Sequence, residues 1–329
     1  MIYPSSLKKG DEIRVVAPST NFRFVTEYQK KLALERFKLL GLNVNFGKNI
    51  NETDVFDSSP IKARIDDLHD AFADKNVKGI ITFLGGLTAN QLLDHIDFDL
   101  IKNNPKVLCG FSDITALQNA IYAKTGLLTY SGPHFSCFGM KKGFEYTMKY
   151  FEKCLMKNEP FSVEDSPTWS DDTWFLDQED RTFINNDGIK VLQEGKAKGT
   201  ILGGNLCTFN LLQGTEYMPR FKQTILFLED VDKMGSYSAE FDRNLQSLIH
   251  SEDFSEVKAI VIGRAPKKSD LTEEKIRYTF ESKKDLKNMP IIYNVDFGHT
   301  TPYFTFPIGG EVEIDTDRDR PIKFINHIS

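Results

Sequence analysis

A serine, a carboxylate and a histidine in this chain, Ser112, Glu229 and His299, could together carry acyl-transfer chemistry. Ser112 lies in VLCGFSDITAL, between a short apolar run and a segment whose Ile114, Leu117 and Ile121 fall on one helical face. A serine there has two available roles. It can cap the helix, its oxygen accepting an orphan backbone N–H. It can also stand on the strand-to-helix turn as a nucleophile, which requires a base to take its proton and a third group to orient that base.

Six histidines could supply the base. His69, His95 and His250 fall on helical patterns among polar neighbours and read as surface residues. His327 is in the C-terminal tail, where chain ends fray. His134 follows Gly132-Pro133 near a strand end and keeps a claim. His299 stands out because NVDFGHTTP places it in a turn directly after a β-type run. For the carboxylate, TILFLEDVD leads four apolar residues into Glu229 and Asp230. A carboxylate at the end of a buried strand needs a partner, and an imidazole N–H is one. Position favours Glu229 over Asp230, since strand neighbours point to opposite faces. Gly85-Gly86, closing VKGIITFLGG, could offer backbone N–H groups to an oxyanion, with the Asp113 N–H as second donor. Gly203-Gly204-Asn205 reads as a turn or a substrate-facing loop, and Lys233 could reach a phosphate or carboxylate as a point charge.

The first half of the chain alternates strand and helix patterns: DEIRVVAPS, YQKKLALERFKLLG, LNVNFG, a helix over 61–73, VKGIITFLGG, ANQLLDHI, KVLCGFS and DITALQNAIYAKT. That alternation predicts a parallel sheet covered by helices, with ligands bound beyond the strands' carboxyl ends. From about Glu159 to Asp187 the pattern gives way to a polar, turn-rich stretch holding Trp169 and Trp174. A loop of that length is functional or a domain connection. Beyond Ile189 shorter β-type runs mix with two helical patterns, predicting a smaller mixed α/β domain. The expected division is 1–160, a connecting loop over 161–188, and 189–329.

At 329 residues the chain can bury two ordinary cores. It is 40% hydrophobic and 27% charged with a net charge of −6, which argues against a nucleic-acid partner. No apolar run approaches the roughly 18 residues of a membrane span, and the N-terminus lacks the pattern of a secretory signal. The four cysteines form no C-x-x-C pair. A cytoplasmic protein is the expectation.

Ser112, Glu229 and His299 follow the chain order of the α/β-hydrolases. Their G-x-S-x-G motif fails, however, because Ile114 replaces the second glycine. A glutamine-amidotransferase-like enzyme would need a cysteine where Ser112 stands, and Cys109 lies three residues earlier. The segments LGGLTANQLLDHIDFDLI, NPKVLCGFSDITALQNAIYAKTGLLTYSGP, GTILGGNL, ILFLEDVD and DFGHTTPYFTFPIGG, in that order, resemble the LD-carboxypeptidase family of serine peptidases, in its microcin C immunity branch. The resemblance implies that Ser112 attacks an amide carbonyl, His299 shuttles the proton and Glu229 orients His299. It also implies a Gly86 and Asp113 oxyanion hole, a homodimer, and no metal or other cofactor. The fold it implies is a flavodoxin-like (class I glutamine amidotransferase-like) N-terminal domain with a C-terminal domain built on a barrel-like sheet.

One departure bears on substrate. Leu87-Thr88-Ala89-Asn90-Gln91 replaces the aromatic, Gly and Arg pattern of the murein-recycling members, which brings the chain closer to the immunity branch. Trp169 or Trp174 could stack on a nucleobase, or both could pin the loop to the body. The expected substrate is a small peptide or a peptidyl-nucleotide.

Overall fold

The computed structural model describes residues 1–21, 23, 25–230 and 237–329. Its strands, in chain order, are β1 (Glu12–Val16), β2 (Asn43–Phe46), β3 (Val77–Thr82), β4 (Val107–Gly110), β5 (Thr129–Ser131), β6 (Phe161–Ser162), β7 (Thr168–Trp169), β8 (Ile184–Asn185), β9 (Lys190–Gln193), β10 (Lys196–Asn205), β11 (Thr224–Glu229), β12 (Val257–Gly263), β13 (Ile291–Val295), β14 (Phe306–Ile308), β15 (Glu311–Asp315) and β16 (Ile322–Asn326).

Two sheets organise the molecule. The first runs β2-β1-β3-β4-β5-β14, and its first five strands are parallel. VLCG of β4 is buried throughout, as a strand covered on both faces requires. The helix Thr115–Thr125 follows β4 through one tight turn over Ser112–Ile114, and Gly126 ends it at φ +74°. At the far edge β14, from late in the chain, pairs antiparallel with β5.

The second sheet runs β6-β16-β15-β10-β11-β12-β13-β9, with β10 to β13 parallel and TILFLE of β11 fully buried. Its edge strands β6 and β9 do not pair with each other, so the sheet is open where the resemblance implied a barrel. With eight strands against six it is the larger of the two sheets, and it includes β6 from before residue 189. The C-terminal tail is not frayed: His327 is 1% exposed, and the Tyr130 hydroxyl donates to its carbonyl at 2.7 Å.

The stretch between the sheets is tied down at both ends. The carboxylate of Asp296, just beyond β13, accepts from the Ser166 backbone N–H at 2.8 Å and the Ser166 hydroxyl at 3.0 Å. Arg264 donates to that carboxylate at 2.6 Å and to the Asn186 side-chain oxygen at 2.9 Å. Between these anchors, β7 pairs with β8 and the Ser170 and Thr301 backbones exchange hydrogen bonds at 2.7 and 2.8 Å. The loop is thereby fixed two residues beyond His299. Burial raises the Asp296 carboxyl despite the adjacent guanidinium.

Candidate active site

Ser112, Glu229 and His299 lie far apart in sequence, yet each follows or ends a parallel strand whose carboxyl end faces the other two. The His299 Nε2 lies 3.0 Å from Ser112 Oγ, and its Nδ1 lies 2.7 Å from Glu229 Oε2. Ser112 holds φ at +60°, a left-handed conformation that costs a non-glycine residue ~1–2 kcal/mol. Its side chain caps no helix; it points to His299 instead. A strained turn that lifts a hydroxyl out of a strand end is the geometry a nucleophile needs.

Glycine makes room for the carboxylate. A Cβ on Gly263 would lie 2.8 Å from Glu229 Cβ, and one on Gly298 would lie 2.9 Å from both Cβ and Oε2. Glu229 is 4% exposed, and its second oxygen accepts from Asn205 Nδ2 at 3.3 Å. Asn205 sits opposite Glu229 in the β10–β11 register, caps the helix Leu206–Asn210 and also donates to Asp230 at 3.3 Å. It therefore braces the two carboxylates and does not line the cavity. Glu229, not Asp230, makes the bond to His299.

Three loops converge over the serine. The buried Asp113 carboxylate accepts from the Ala89 N–H at 2.8 Å and the Ser19 hydroxyl at 2.5 Å, joining the turns after β1, β3 and β4. Gly86 lies so close to the Ser19 and Thr20 side chains that any Cβ would collide with them. Gly85 fits against Ser112, its hypothetical Cβ 3.2 Å from Oγ.

These loops enclose a cavity of about 710 Å³, lined by Gly85, Gly86, Ser112, His299, Trp174 and Phe175 among others. A cavity of about 740 Å³ beside Lys196 and Lys258 is as large but holds no such constellation, so volume does not select the site. The two tryptophans separate. Trp174 is on the cavity wall, whereas Trp169 lies at the root of the loop, its ring 5.1 Å from the Arg264 guanidinium and 5.6 Å from Lys267 Nζ. Lys233 lies outside the described residues.

His134 also lines this cavity. Its ring is 1% exposed and stacks on Phe111 with centroids 4.4 Å apart. Burial, and then the nearby His299, push its pKa down to about 3. Its sequence signal was the Gly-Pro-His turn at a strand end. Cys109 is fully buried beneath the serine turn, and burial raises its thiol pKa well above the ordinary range. No group of side chains suited to a metal ion occurs among the described residues, and no described helix is long and apolar enough to cross a membrane.

An imidazole bonded to a hydroxyl on one side and a buried carboxylate on the other, in a cavity walled by converging loops, is equipped for acyl transfer through a serine. Comparison with known proteins agrees with that class. Residues 13–132 match the LD-carboxypeptidase N-terminal domain and residues 198–314 the LD-carboxypeptidase C-terminal domain. The chain belongs to the LD-carboxypeptidase family of peptidases. It is 54% identical over 317 residues to the protein named "Putative carboxypeptidase YocD" of Bacillus subtilis, covering 95% of this chain and 96% of that one. The crystal structure of an MccF-like protein from Bacillus anthracis superposes with a TM-score of 0.97 at 52% identity, covering 99% of this chain and 100% of that one. The microcin C7 self-immunity protein MccF of Escherichia coli is 31% identical over 314 residues, 92% of this chain and 87% of that one. A structure of microcin C7 self-immunity protein MccF in complex with aspartyl sulfamoyl adenosine superposes with a TM-score of 0.90 at 28% identity, covering both chains fully.

Proposed function

We propose that this chain is a serine peptidase that hydrolyses an amide near a carboxyl terminus, with a peptidyl-nucleotide of the microcin C type as its preferred substrate. The observation that carries the peptidase reading is the continuous line of hydrogen bonds from Ser112 Oγ through His299 to Glu229.

In this reading His299 Nε2 takes the Ser112 proton as Oγ adds to the amide carbonyl carbon. The carbonyl oxygen becomes an oxyanion held by the Gly86 and Asp113 backbone N–H groups. His299 then gives the proton to the leaving nitrogen, the C–N bond breaks, and an acyl-serine remains. Water, deprotonated by His299, hydrolyses that ester and restores Ser112. Glu229 accepts from Nδ1–H throughout, which fixes the tautomer and stabilises the imidazolium. The chemistry asks for no metal.

The nucleotide preference rests on Trp174, whose place on the cavity wall suits stacking on a base, worth roughly 1–3 kcal/mol. Trp169, flanked by cations at the loop root, belongs to the loop's anchorage. The strand order 2-1-3-4-5 supports a flavodoxin-like reading of the first sheet. A division at 1–160, 161–188 and 189–329, a homodimer and a cytoplasmic location go with this function as proposals. Light scattering of the purified protein tests the dimer.

The deciding experiment is a side-by-side assay on aspartyl sulfamoyl adenosine and a murein tetrapeptide, with Ser112→Ala as the blank. Faster cleavage of the nucleotide is the expected result. Preferred release of D-alanine would make the protein a wall-peptide carboxypeptidase, and turnover of neither would remove the peptidase reading.

A further inference from the structure

The space beside Gly85 has a second polar wall. A Cβ on Gly85 would lie 3.2 Å from Ser112 Oγ and 3.4 Å from His134 Nε2, so both atoms pack against the same side of the glycine, in the cavity that both residues line. The Nε2 of His134 has no hydrogen-bond partner among the described residues. Its other nitrogen lies 2.7 Å from Thr82 Oγ1, which in turn lies 3.3 Å from the Cys109 carbonyl oxygen. The Thr82 hydroxyl has one hydrogen. Given to the carbonyl, it leaves Oγ1 to accept from Nδ1–H, and both contacts become hydrogen bonds. The opposite tautomer forfeits the carbonyl bond and orphans a buried N–H at Nε2, and orphaned donors are rarer than under-satisfied acceptors. The network thus assigns the lone pair to Nε2. The depressed pKa keeps the ring neutral, so it does not repel a cation.

An attacked carbonyl carbon stands roughly 3–3.5 Å from the nucleophile. With Ser112 and His134 lining one cavity and both packed against Gly85, a group carried one or two bonds from the attacked carbon comes within reach of Nε2. We propose that His134 is a specificity-determining residue: Nε2 accepts a hydrogen bond from an N–H carried on the carbon next to the scissile carbonyl, whether ammonium or peptide N–H. The inference rests on the peptidase reading and narrows its substrates to α-amino acyl amides. An acyl group without that nitrogen leaves a buried lone pair unmet.

The test pairs aspartyl sulfamoyl adenosine with its succinyl counterpart, which lacks the α-nitrogen, against wild type, His134→Phe and His134→Gln. Wild type should favour the aminoacyl compound by roughly tenfold or more in kcat/KM. His134→Phe should erase that preference by slowing the aminoacyl substrate alone, and His134→Gln, which retains an acceptor oxygen, should keep part of it. Equal losses on both substrates would overturn the proposal. A second measurement needs neither turnover nor a folded His134 variant. In Ser112→Ala, the nitrogen-15 resonance of His134 Nε2 should move on addition of the aminoacyl compound and stay in place with the succinyl one. An identical response to both compounds would sink the proposal even if the enzyme proves active. A selective shift in a protein without turnover would uphold the contact while discarding the peptidase reading.

Discussion

Gly298 presses against Glu229: a Cβ on the glycine would lie 2.9 Å from the Cβ and from Oε2 of the acid. The residue before the histidine therefore sets where the histidine's carboxylate can stand. Gly298 also holds φ at +104°, which L side chains rarely adopt. Gly298→Ala should lower kcat by roughly tenfold to a hundredfold, since small displacements of a catalytic group are costly. Thermal melting should show a folded protein, and unchanged kcat would mean the contact does not position the acid.

Ser112→Ala should fold and lose roughly three to six orders of magnitude in turnover. Ser112→Gly should lose as much activity yet gain stability over the alanine variant by about 1 kcal/mol, because glycine relieves the left-handed strain that alanine keeps. Denaturant melts of the two variants read this directly. Equal midpoints would mean the turn stores no strain.

Glu229→Gln should cost less than Ser112→Ala, since an amide can still orient His299 through a hydrogen bond while the charge is lost. Asp230→Asn should cost less again, because Asp230 contacts Asn205 and not the histidine. A greater loss in Asp230→Asn would reverse the assignment of the acid.

His134 has an ordinary pKa near 6.5 and is pushed down to about 3 in the folded chain. As pH falls, the unfolded chain binds this proton first, so the neutral ring's contribution is full above pH 6.5 and is lost progressively toward pH 3. One such group gives a slope of up to about 1.4 kcal/mol per pH unit. His134→Gln should flatten the stability profile across that window relative to wild type. Matching profiles would show that the ring is not held neutral.

Asp296→Ala should be the most destabilising of these changes, by about 3–5 kcal/mol, because it leaves the Arg264 guanidinium buried without its partner. Asp296→Asn keeps two of the hydrogen bonds and should instead loosen the loop. Its expected signs are faster proteolysis within 171–182 and a raised KM for a nucleotide substrate, with kcat changed less. A KM equal to wild type would detach the loop from substrate binding.

How far the chain announced this arrangement varies by residue. The strands leading to Ser112 and Glu229 were legible because strands buried on both faces read as unbroken apolar runs. Residue type and strand-end position drew attention to His299. The role of Asn205 was not legible, since its partner Glu229 becomes a neighbour only through strand register. Strand β14 was hidden by Pro307, which a sequence reading takes as a strand breaker and an edge strand tolerates. Nothing local marks His327 as buried, because its burial depends on contacts with residues far away in sequence. Trp169 and Trp174, five residues apart in one polar stretch, carry nothing local that tells the anchored ring from the one on the cavity wall.

The late pairing of β14 with β5 has a consequence for the order of events during synthesis. When the serine-bearing half leaves the ribosome, β5 is an open edge, because its neighbour has yet to be translated. Glu229 emerges later and His299 later still, only seven residues before β14 begins. The segment that seals the first sheet therefore arrives together with the imidazole that bonds its serine. A nascent chain carries Ser112 without its histidine partner until the sheet that holds it can close.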